Sequence, residues 1–482
     1  MEIAIIGNGI CSLTSAFKLA LKISKTDKIY IIGEKRKEGS ASNAAAAMLN
    51  SFAELESNSL KDDIDIYNFE ISRKATSEWP EFNKLINETI ISNSTSKKEK
   101  IDFSCGMEYG TFVINNSAAN YIDDENFDFI VKSLDKYKVI YENVSPKDIP
   151  FYKPSENKRA TRSIYIKNEW RINPRRFINK IENALKTFNN IFFIEDNVNQ
   201  IICKSHKISH LLIGKENKSF YFDKYLLAAG ANSKKILEKS NLPIKMPSIF
   251  YGVGVSIELK SNDEEPTKCI RTPNRGLACG IYAAPYEQLN KSKNNHLLIG
   301  ATNFVSVDPL NKPRVSNVES LLKASIEQVN HDLYRSEIIR TNIGWRPMTE
   351  DTYPLIGKTD MENLIILCGT NRDGFHKSPI YSNYISSLIL EKDIDNGINI
   401  FSPCRKLIRS LTRDEAIEKS LKHLLSADYQ HGFIPSVSRM PEKIESMYRD
   451  DLERLHDKVG AHNWGIPTEM LDMYRYGHAG KE

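Results

Sequence analysis

The sequence predicts a mixed α/β fold in three parts: a domain built around a parallel sheet and assembled from separate stretches of the chain, a second domain with a mixed sheet, and a helical C-terminal extension. Three observations predict it. An apolar strand at the N-terminus breaks into Gly7-Asn8-Gly9 and continues as a helix. Two later apolar runs also end on glycine, at Gly230 and Gly369, as strands of one sheet would. Beyond residue 408 the sequence becomes charged and amphipathic.

The N-terminal turn has the sequence of a Rossmann-like dinucleotide cradle. The consecutive apolar residues of its first strand suit a parallel strand that is covered on both faces. Gly7 and Gly9 let the backbone turn tightly beside a pyrophosphate, and a helix beginning near Ile10 directs free N–H groups at the phosphates. Ser12 replaces the third glycine of the pattern, and from it we expect looser helix–strand packing. A strand–glycine–helix turn that binds nothing is the alternative interpretation of this segment.

The second apolar run extends from Lys28 to Gly33 and ends in Glu34. An acidic residue about 20 to 30 residues beyond the first glycine accepts hydrogen bonds from an adenosine ribose and repels a ribose phosphate. Lys35 to Lys37 follow, and three cations could instead favour a phosphorylated ribose. We interpret them as part of a solvated turn.

Length and composition indicate a soluble protein of two or three domains, because 482 residues exceed what one core usually organises. The net charge of +4 is small for this length and argues against a nucleic-acid scaffold, which leaves nucleic acid only as a local substrate. The seven cysteines are scattered without a CxxC pair. This favours a reducing, cytoplasmic environment and no thiolate-bound metal.

Membrane and export signals are not expected. No apolar run reaches the length of a membrane span. The N-terminal run could pass for a signal peptide, but Glu2, Asn8 and Lys18 interrupt it. We therefore interpret it as part of the mature fold.

The order of the later signals predicts that the nucleotide-binding domain is discontinuous. After Pro174 we expect a helix to about Leu185, then a strand at residues 191–194 and the strand that closes on Gly230. Lys97 to Lys100 predict an exposed loop. The predicted boundaries are 1–85, 151–245 and 340–408 for the nucleotide-binding domain, 86–150 and 246–339 for a substrate domain, and 409–482 for the extension.

Residues 40–56 read SASNAAAAMLNSFAELE, a run of very small side chains that passes through Met48-Leu49. Such a run is natural where backbone must lie against a flat ligand. An alanine-rich helix explains the same composition equally well.

A late block, from Gly344 to Gly357, is followed by an apolar strand, the loop Thr370-Asn-Arg-Asp-Gly374 and a helix to about Leu390. A helix N-terminus offered to a planar ring stabilises negative charge that develops on the ring. Within the block, Arg346 lies between Trp345 and Pro347, a setting that favours a positioned cation over a surface salt bridge.

At this point the chain resembles the FAD-dependent D-amino-acid-oxidase-like family, and within it most closely glycine and sarcosine oxidases. The resemblance extends from residue 1 to about 408 in separate blocks. They are the N-terminal cradle with Glu34, the alanine-rich run, LLAAGANS, YAAP, LLIGAT, WRPMTEDTYPLIG, GTNRDG and FSPCR. The chain departs from the family at Ser12, at Thr370-Asn371, where a histidine-containing pair is usual, and in its extension.

The resemblance implies a bound FAD. It places Gly7, Gly9 and Glu34 at the ADP half, Met48 at the isoalloxazine and the 372–374 loop at its pyrimidine edge. The full set implied at the cofactor is Gly7, Gly9, Ile10, Glu34, Lys35, Ser42, Ala46, Met48, Leu49, Val198, Ala229, Gly230, Arg346, Asn371, Arg372, Asp373, Gly374 and Phe375. Covalent relatives carry a cysteine close after the position of Arg346; here that stretch reads PMTEDTYP, so non-covalent FAD is expected.

The residues implied in catalysis are Arg346, Tyr282 and Arg372. Arg346 corresponds to the arginine that binds a substrate carboxylate, which a planar guanidinium grips with two parallel hydrogen bonds. Tyr282 corresponds to a tyrosine that hydrogen-bonds the same group, although an aromatic residue before a strand is often core. No metal ligand and no dedicated catalytic base is identifiable.

These residues predict the oxidation of a C–N bond in an amino acid or secondary amine, with hydride transfer to flavin N5 and hydrogen peroxide formed from oxygen. Three alternatives remain. One is a dehydrogenase that passes electrons to another carrier. Another is a tailoring or tRNA-modifying enzyme whose amine is part of a larger molecule. The third is a flavin-binding interaction protein without turnover, in which Arg346 would be paired internally.

The C-terminal extension predicts two helices, from Glu415 to Leu425 and from Pro441 to Val459. It carries five of the ten histidines, at positions 423, 431, 456, 462 and 478. Their spacing does not indicate a metal site, and a solvated helical appendage is favoured. Such an appendage could cover the substrate mouth, pack on a second subunit in a homo-oligomer or bind a partner.

Overall fold

The computed structural model describes residues 1–35, 37–57, 59–93, 107–262, 266–275, 280–286, 295–392, 396–430 and 439–480. The predicted loop at Lys97–Lys100 and one of the extension's histidines, His431, lie outside the described residues. The strands are β1 (Glu2–Ile6), β2 (Lys28–Ile32), β3 (Met48–Leu49), β4 (Glu108–Asn115), β5 (Tyr141–Asn143), β6 (Arg162–Arg171), β7 (Ile191–Ile194), β8 (Val198–Lys204), β9 (Lys207–Ile213), β10 (Lys218–Phe220), β11 (Lys224–Leu227), β12 (Ile249–Lys260), β13 (Cys269–Arg271), β14 (Tyr282–Pro285), β15 (His296–Gly300), β16 (Phe304–Ser306), β17 (Glu337–Thr349), β18 (Leu355–Lys358) and β19 (Leu364–Cys368).

The α-helices are α1 (Ile10–Ala20), α2 (Ala41–Ala44), α3 (Asp63–Asn93), α4 (Tyr121–Lys136), α5 (Pro174–Lys186), α6 (Ser233–Ser240), α7 (Val315–Gln328), α8 (Ser378–Ile389), α9 (Arg413–Gln430), α10 (Met440–Lys458) and α11 (Leu471–Arg475).

A six-stranded sheet has the order β18-β19-β11-β1-β2-β7. All its pairs are parallel except β18 with β19. Helices α1, α3, α5 and α8 pack through one core that includes Phe17, Trp79 and Phe177. On the other face, β8–β10 and α6 cover Ala4, Ile6 and other sheet residues. Apart from charged residues at their ends, these strands are largely apolar, as expected where both faces are covered. The predicted α/β fold is confirmed.

The second sheet is larger and mixed, with the order β16-β12-β15-β14-β13-β4-β6-β3, to which β17 joins on β12 and β5 on β6. β13 and β4 are parallel, and the other pairs of this sheet are antiparallel. β3, β6 and most of β17 lie in ranges assigned from the sequence to the nucleotide-binding domain, yet all three pair in this sheet. The domain boundaries themselves stay a prediction.

The C-terminal extension is packed against the body of the protein, so the expectation of a solvated appendage was wrong. Residues of α9, α10 and α11 form a buried cluster that also contains Phe250 of β12 and Met348 of β17. Tyr474 donates its hydroxyl to Glu350 at 2.7 Å. His456 is fully buried and its Nε2 accepts the backbone N–H of Ile466 at 3.1 Å. The amphipathic pattern of the helices therefore marks an internal interface.

No described helix combines the length and the apolar character that a membrane crossing requires. Histidine, cysteine and carboxylate side chains in the same part of the chain form no group of three or more that could hold a metal ion.

Ser12 does not loosen the cradle, contrary to the expectation from the sequence. Its side chain is fully buried, and its hydroxyl donates to the Ala228 carbonyl at 2.9 Å. The serine thus joins the start of α1 to the end of β11 by a hydrogen bond, where a glycine would rely on close contact alone.

Replacing Ser12 by Ala should lower the free energy of unfolding by about 1 kcal/mol, because the buried hydrogen bond is lost. Ser77→Ala is the control, since the Ser77 hydroxyl is exposed and bonds within its own helix. Thermal unfolding of the purified proteins measures both. Equal melting temperatures for the two variants would contradict a stabilising role of Ser12.

Candidate functional site

The turn after β1 packs closely against neighbouring backbone and leaves little room for side chains. Gly7 has φ +117°, and a Cβ on it would lie 2.5 Å from the Ala228 oxygen. A Cβ on Gly9 would lie 3.3 Å from Ser42 Oγ. Ser42 in turn accepts the backbone N–H of Ile10 at 3.1 Å, at the first turn of α1. This is the geometry of a pyrophosphate cradle at a helix N-terminus.

Glu34 follows β2 and lies at the end of the cavity where the sequence placed an adenosine ribose. Its carboxylate accepts a hydrogen bond from Asn197, next to Val198. Lys35 does not belong to the cavity: its side chain is 85% exposed and lies 3.9 Å from Glu195. The next residue after Glu34 points into solvent, in agreement with a solvated turn.

The small-residue run is helical in one part and extended along the cavity in another, so each of the two interpretations of its sequence holds for a part of it. Ala41–Ala44 form one helical turn, and the backbone then extends into β3. Ala46 and Met48 line the cavity, whereas Leu49 is fully buried in the helical core on the other side. Successive side chains of a strand face opposite sides, so the Leu49 side chain points away from the cavity that Met48 lines. Placing Leu49 at the cofactor is therefore not supported.

The loop after β19 forms a tight turn at the cavity. The Asn371 N–H donates to the Pro347 carbonyl at 2.9 Å, and the Asp373 N–H donates to the Thr370 carbonyl at 2.9 Å. A Cβ on Gly374 would lie 2.5 Å from Thr370 Oγ1, so the loop closes on itself around this glycine. Helix α8 begins four residues later, at Ser378.

Asp373 in this loop and His376 just after it each have one favoured charge state. Asp373 lies 2.6 Å from Lys377; burial raises the pKa of the Asp373 carboxyl, but Lys377 and other cations lower it below its ordinary value. Burial lowers the pKa of His376 to about 3. The neutral imidazole lies 2.8 Å from the Thr76 hydroxyl. The cavity therefore meets a carboxylate already paired with a lysine and an uncharged histidine.

Arg346 of β17 extends its side chain across the face of β12. A Cβ on Gly254 would lie 2.4 Å from both terminal nitrogens of the guanidinium, so the glycine makes room for it. Arg346 Nη1 donates to Asn303 Oδ1 at 2.9 Å and to the Thr302 carbonyl at 3.3 Å. Among the residues that the structure describes, no carboxylate lies within ion-pair distance of Arg346. Tyr282 lines the same cavity.

Several cavity residues were not proposed from the sequence, and two polar ones among them, Asn50 and Glu54, lie in the quoted small-residue run. Asn50 is buried, and its Oδ1 has no hydrogen-bond partner in the described protein. Glu54 lines the cavity and forms an ion pair with the fully buried Arg271. The only available signal was the presence of polar residues in a run of small apolar ones.

A single cavity of about 600 Å³ contains these features. Of the residues proposed from the sequence, it is lined by Gly7, Gly9, Ile10, Glu34, Ser42, Ala46, Met48, Val198, Ala229, Gly230, Tyr282, Arg346, Asn371, Arg372, Asp373, Gly374 and Phe375. Asn371 Oδ1 is buried there without a partner in the described protein, as expected of an atom that a ligand satisfies. The cradle, the carboxylate at one end and the orphaned amide oxygens fit FAD.

The profile of the family described as FAD dependent oxidoreductase (DAO) matches residues 2–388. This chain belongs to that family. The predicted resemblance and the predicted cofactor, FAD, are thereby confirmed. Enzymes of the DAO family are oxidoreductases, and the residues that line the cavity fit their cofactor.

Among curated relatives, the bifunctional protein ThiO/ThiG of Synechocystis is 25% identical over 413 residues, 84% of this chain and 54% of the relative. The chain thus spans about half the length of that protein. A D-amino acid dehydrogenase of Vibrio vulnificus is 21% identical over 216 residues, 44% of this chain and 47% of the relative.

Solved structures share the fold. Glycine oxidase of Geobacillus kaustophilus superposes with a TM-score of 0.67 at 18% identity, covering 84% of this chain and 99% of that one. Iminodiacetate oxidase of Chelativorans superposes with a TM-score of 0.66 at 17% identity, covering 83% of this chain and 98% of that one. In both cases almost all of the known protein is matched, while roughly a sixth of this DAO-family chain is not.

Replacing Glu34 by Gln should weaken FAD binding roughly 10- to 100-fold, because a charge-assisted hydrogen bond becomes a neutral one. Lys35→Gln is the matched control and should leave the dissociation constant unchanged, since the Lys35 side chain points into solvent. Fluorescence titration of the apoproteins with FAD measures both. Equal losses in the two variants would mean that this end of the cavity does not hold the ribose.

Proposed function

We propose that this protein oxidises the C–N bond of an amino acid or a carboxylate-bearing secondary amine. The observation that carries the proposal is the environment of Arg346. Its guanidinium is half-buried in the cavity, and its hydrogen bonds go to a neutral carbonyl and a neutral amide oxygen. A desolvated cation of this kind is stabilised by an anion, and a guanidinium matches a carboxylate in shape.

The other proposed site residues suit the remainder of such a substrate. Tyr282 is buried beside Ala284 and Ala301, in an apolar cluster against which Met48 packs. The tyrosine can donate its hydroxyl to the carboxylate, while the methionine offers a soft surface to an aliphatic amine. Contacts of the carboxylate with Arg346 and Tyr282 would orient the substrate's Cα–H bond for hydride transfer.

Bound FAD supplies the two-electron acceptor. The protein binds and orients the substrate, and it keeps other unpaired charges away from it. Asp373 is paired with Lys377, Glu54 with Arg271, and His376 is neutral and hydrogen-bonded. None of the three stands ready as a general base, which agrees with hydride transfer from a neutral amine. Loss of the hydride and of the nitrogen proton leaves an imine, which water hydrolyses.

Oxygen is the proposed final acceptor, with hydrogen peroxide as its product. A dehydrogenase that uses another carrier is the second candidate, supported by the partial similarity to a D-amino acid dehydrogenase. An oxygen electrode separates the two, since a dehydrogenase turns over with an artificial dye but consumes no oxygen. A tailoring enzyme that acts on an amine within a larger molecule would accept neither free glycine nor free sarcosine.

Arg346→Lys should raise the activation free energy of flavin reduction by about 2 to 5 kcal/mol, because the charge remains but the two parallel hydrogen bonds to the carboxylate are lost. Stopped-flow absorbance under anaerobic conditions measures the reduction with glycine, sarcosine and D-alanine. FAD affinity, titrated separately, should change much less than the reduction rate at low substrate.

The matched substrates are the decarboxylated amines, methylamine for glycine and dimethylamine for sarcosine. Wild-type protein should reduce poorly with them, and the Arg346 variant should discriminate far less between the members of each pair. Full retention of the preference for the carboxylate compound by the variant would make Arg346 structural. The tailoring alternative would then be the better hypothesis.

A further inference from the structure

A buried carboxylate, Glu56, joins the C-terminal extension to the cofactor loop. Its Oε1 lies 3.7 Å from Arg372 Nη2 and accepts a hydrogen bond from Asn274 Nδ2 at 3.3 Å. Its Oε2 lies 3.4 Å from Lys419 Nζ and 3.8 Å from His423 Nε2. One side of the carboxylate therefore faces the cavity loop, and the other faces helix α9 of the extension.

The positions of these residues along the chain make the contact specific. Lys419 and His423 are four residues apart, so they lie on the same face of α9. Arg372 belongs to the loop between β19 and α8 and lines the FAD cavity. Glu56 is the last residue of the small-residue run, at the start of the segment that leads to α3.

The extension also packs beside the proposed substrate-binding side chain. Arg346 and Met348 lie on the same face of β17, because alternate residues of a strand share a face. Met348 is fully buried in the hydrophobic cluster of the extension, together with Phe250 of the neighbouring strand. The extension thus begins to cover this strand two residues beyond Arg346.

The extension adds a second cation, Lys419, to the ion pair of Glu56 and Arg372. Burial alone would raise the pKa of the Glu56 carboxyl, but Lys419, His423 and Arg372 together lower it to about 2. Glu56 in turn raises the pKa of Lys419 against the opposing effect of burial. Removing the lysine would leave Arg372 as the charged partner of Glu56, because burial lowers the pKa of His423 and favours its neutral form.

We propose that Lys419 is a positioning residue of the FAD site: it holds Glu56, and Glu56 fixes Arg372 and the cofactor loop. The C-terminal extension is then a part of the cofactor site that a chain ending at α8 would lack. This inference rests on the proposed place of Arg372 at the flavin, and it does not depend on which amine is oxidised.

The test uses the full-length holoprotein and its FAD dissociation constant. Lys419→Gln should weaken FAD binding about 3- to 10-fold, as expected for one coupled, partly buried charge. It should also alter the visible absorption of the remaining bound flavin. Lys419→Arg should restore both, because a second cation can reach Glu56. The lysine side chain is 39% exposed, so neither substitution threatens folding.

Lys422→Gln is the matched control. Lys422 lies on the same helix and is 45% exposed, and it forms a 2.7 Å ion pair with Glu125 of α4. This substitution removes a similar docking contact of the extension but does not touch Glu56. FAD affinity within twofold of wild type is expected for it.

A double-mutant cycle decides whether Lys419 acts through the loop. In an Arg372→Gln background, Lys419→Gln should have less than half of its effect on FAD affinity. Equal effects of Lys419→Gln and Lys422→Gln, or additive effects of the Lys419 and Arg372 substitutions, would overturn the proposal. Because the readout is FAD binding, a failure of the amine-oxidation proposal would leave these results interpretable.

Discussion

The antiparallel pairing of β12 with β17 determines where the cavity, the small-residue run and the extension meet. Its register begins at Ile249 opposite Thr349 and ends at Lys260 opposite Glu337. One face carries Arg346 towards the cavity and Met348 towards the extension. Trp345 faces the other way, and its backbone N–H donates to the Gly39 carbonyl at 2.8 Å. A slip of one residue would exchange the two faces and move the Arg346 side chain away from the space above Gly254.

The hydrogen-bond partners of Arg346 differ from those of Arg271 and Arg275. Arg275 and Asp123 are fully buried and lie 2.6 Å apart. Arg271 is likewise fully buried and paired with a carboxylate, Glu54. Such pairs compensate the cost of desolvation within the protein. Arg346 has neutral oxygen partners instead, which is the arrangement of a residue whose counter-ion arrives with a ligand.

The features that the sequence predicted well are those governed by local rules. Gly7 and Gly9 are required by the backbone of the cradle, and the largely apolar strands follow from burial on both faces. Lys35 and Leu49, which the resemblance placed at the cofactor, lie outside the cavity lining: the Lys35 side chain is exposed, and Leu49 is buried in the helical core. Ser12 was misjudged because its hydrogen-bond partner, Ala228, is more than two hundred residues away.

The role of the extension could not be read from its sequence, since an amphipathic helix looks the same whether it packs on its own chain or on a partner. Two contacts in the folded chain show that the extension packs on its own chain. Phe250 and Met348 lie in its hydrophobic cluster, and Glu56 lies between Lys419 and Arg372. All three of these earlier residues lie far from the extension in sequence. Contacts of this kind become visible only when the chain is folded.

Arg346 is proposed to bind a carboxylate beside the flavin, and the space above Gly254 makes room for its guanidinium. The most direct measurement is a titration of holoprotein with acetate, a carboxylate that cannot be oxidised here, followed by the flavin absorption spectrum. Gly254→Ala would place a methyl group against the guanidinium and displace it. We predict a saturable spectral change in wild type, at least about tenfold weaker acetate binding in the variant, and unchanged FAD affinity. Equal acetate affinity in the two proteins would contradict the account.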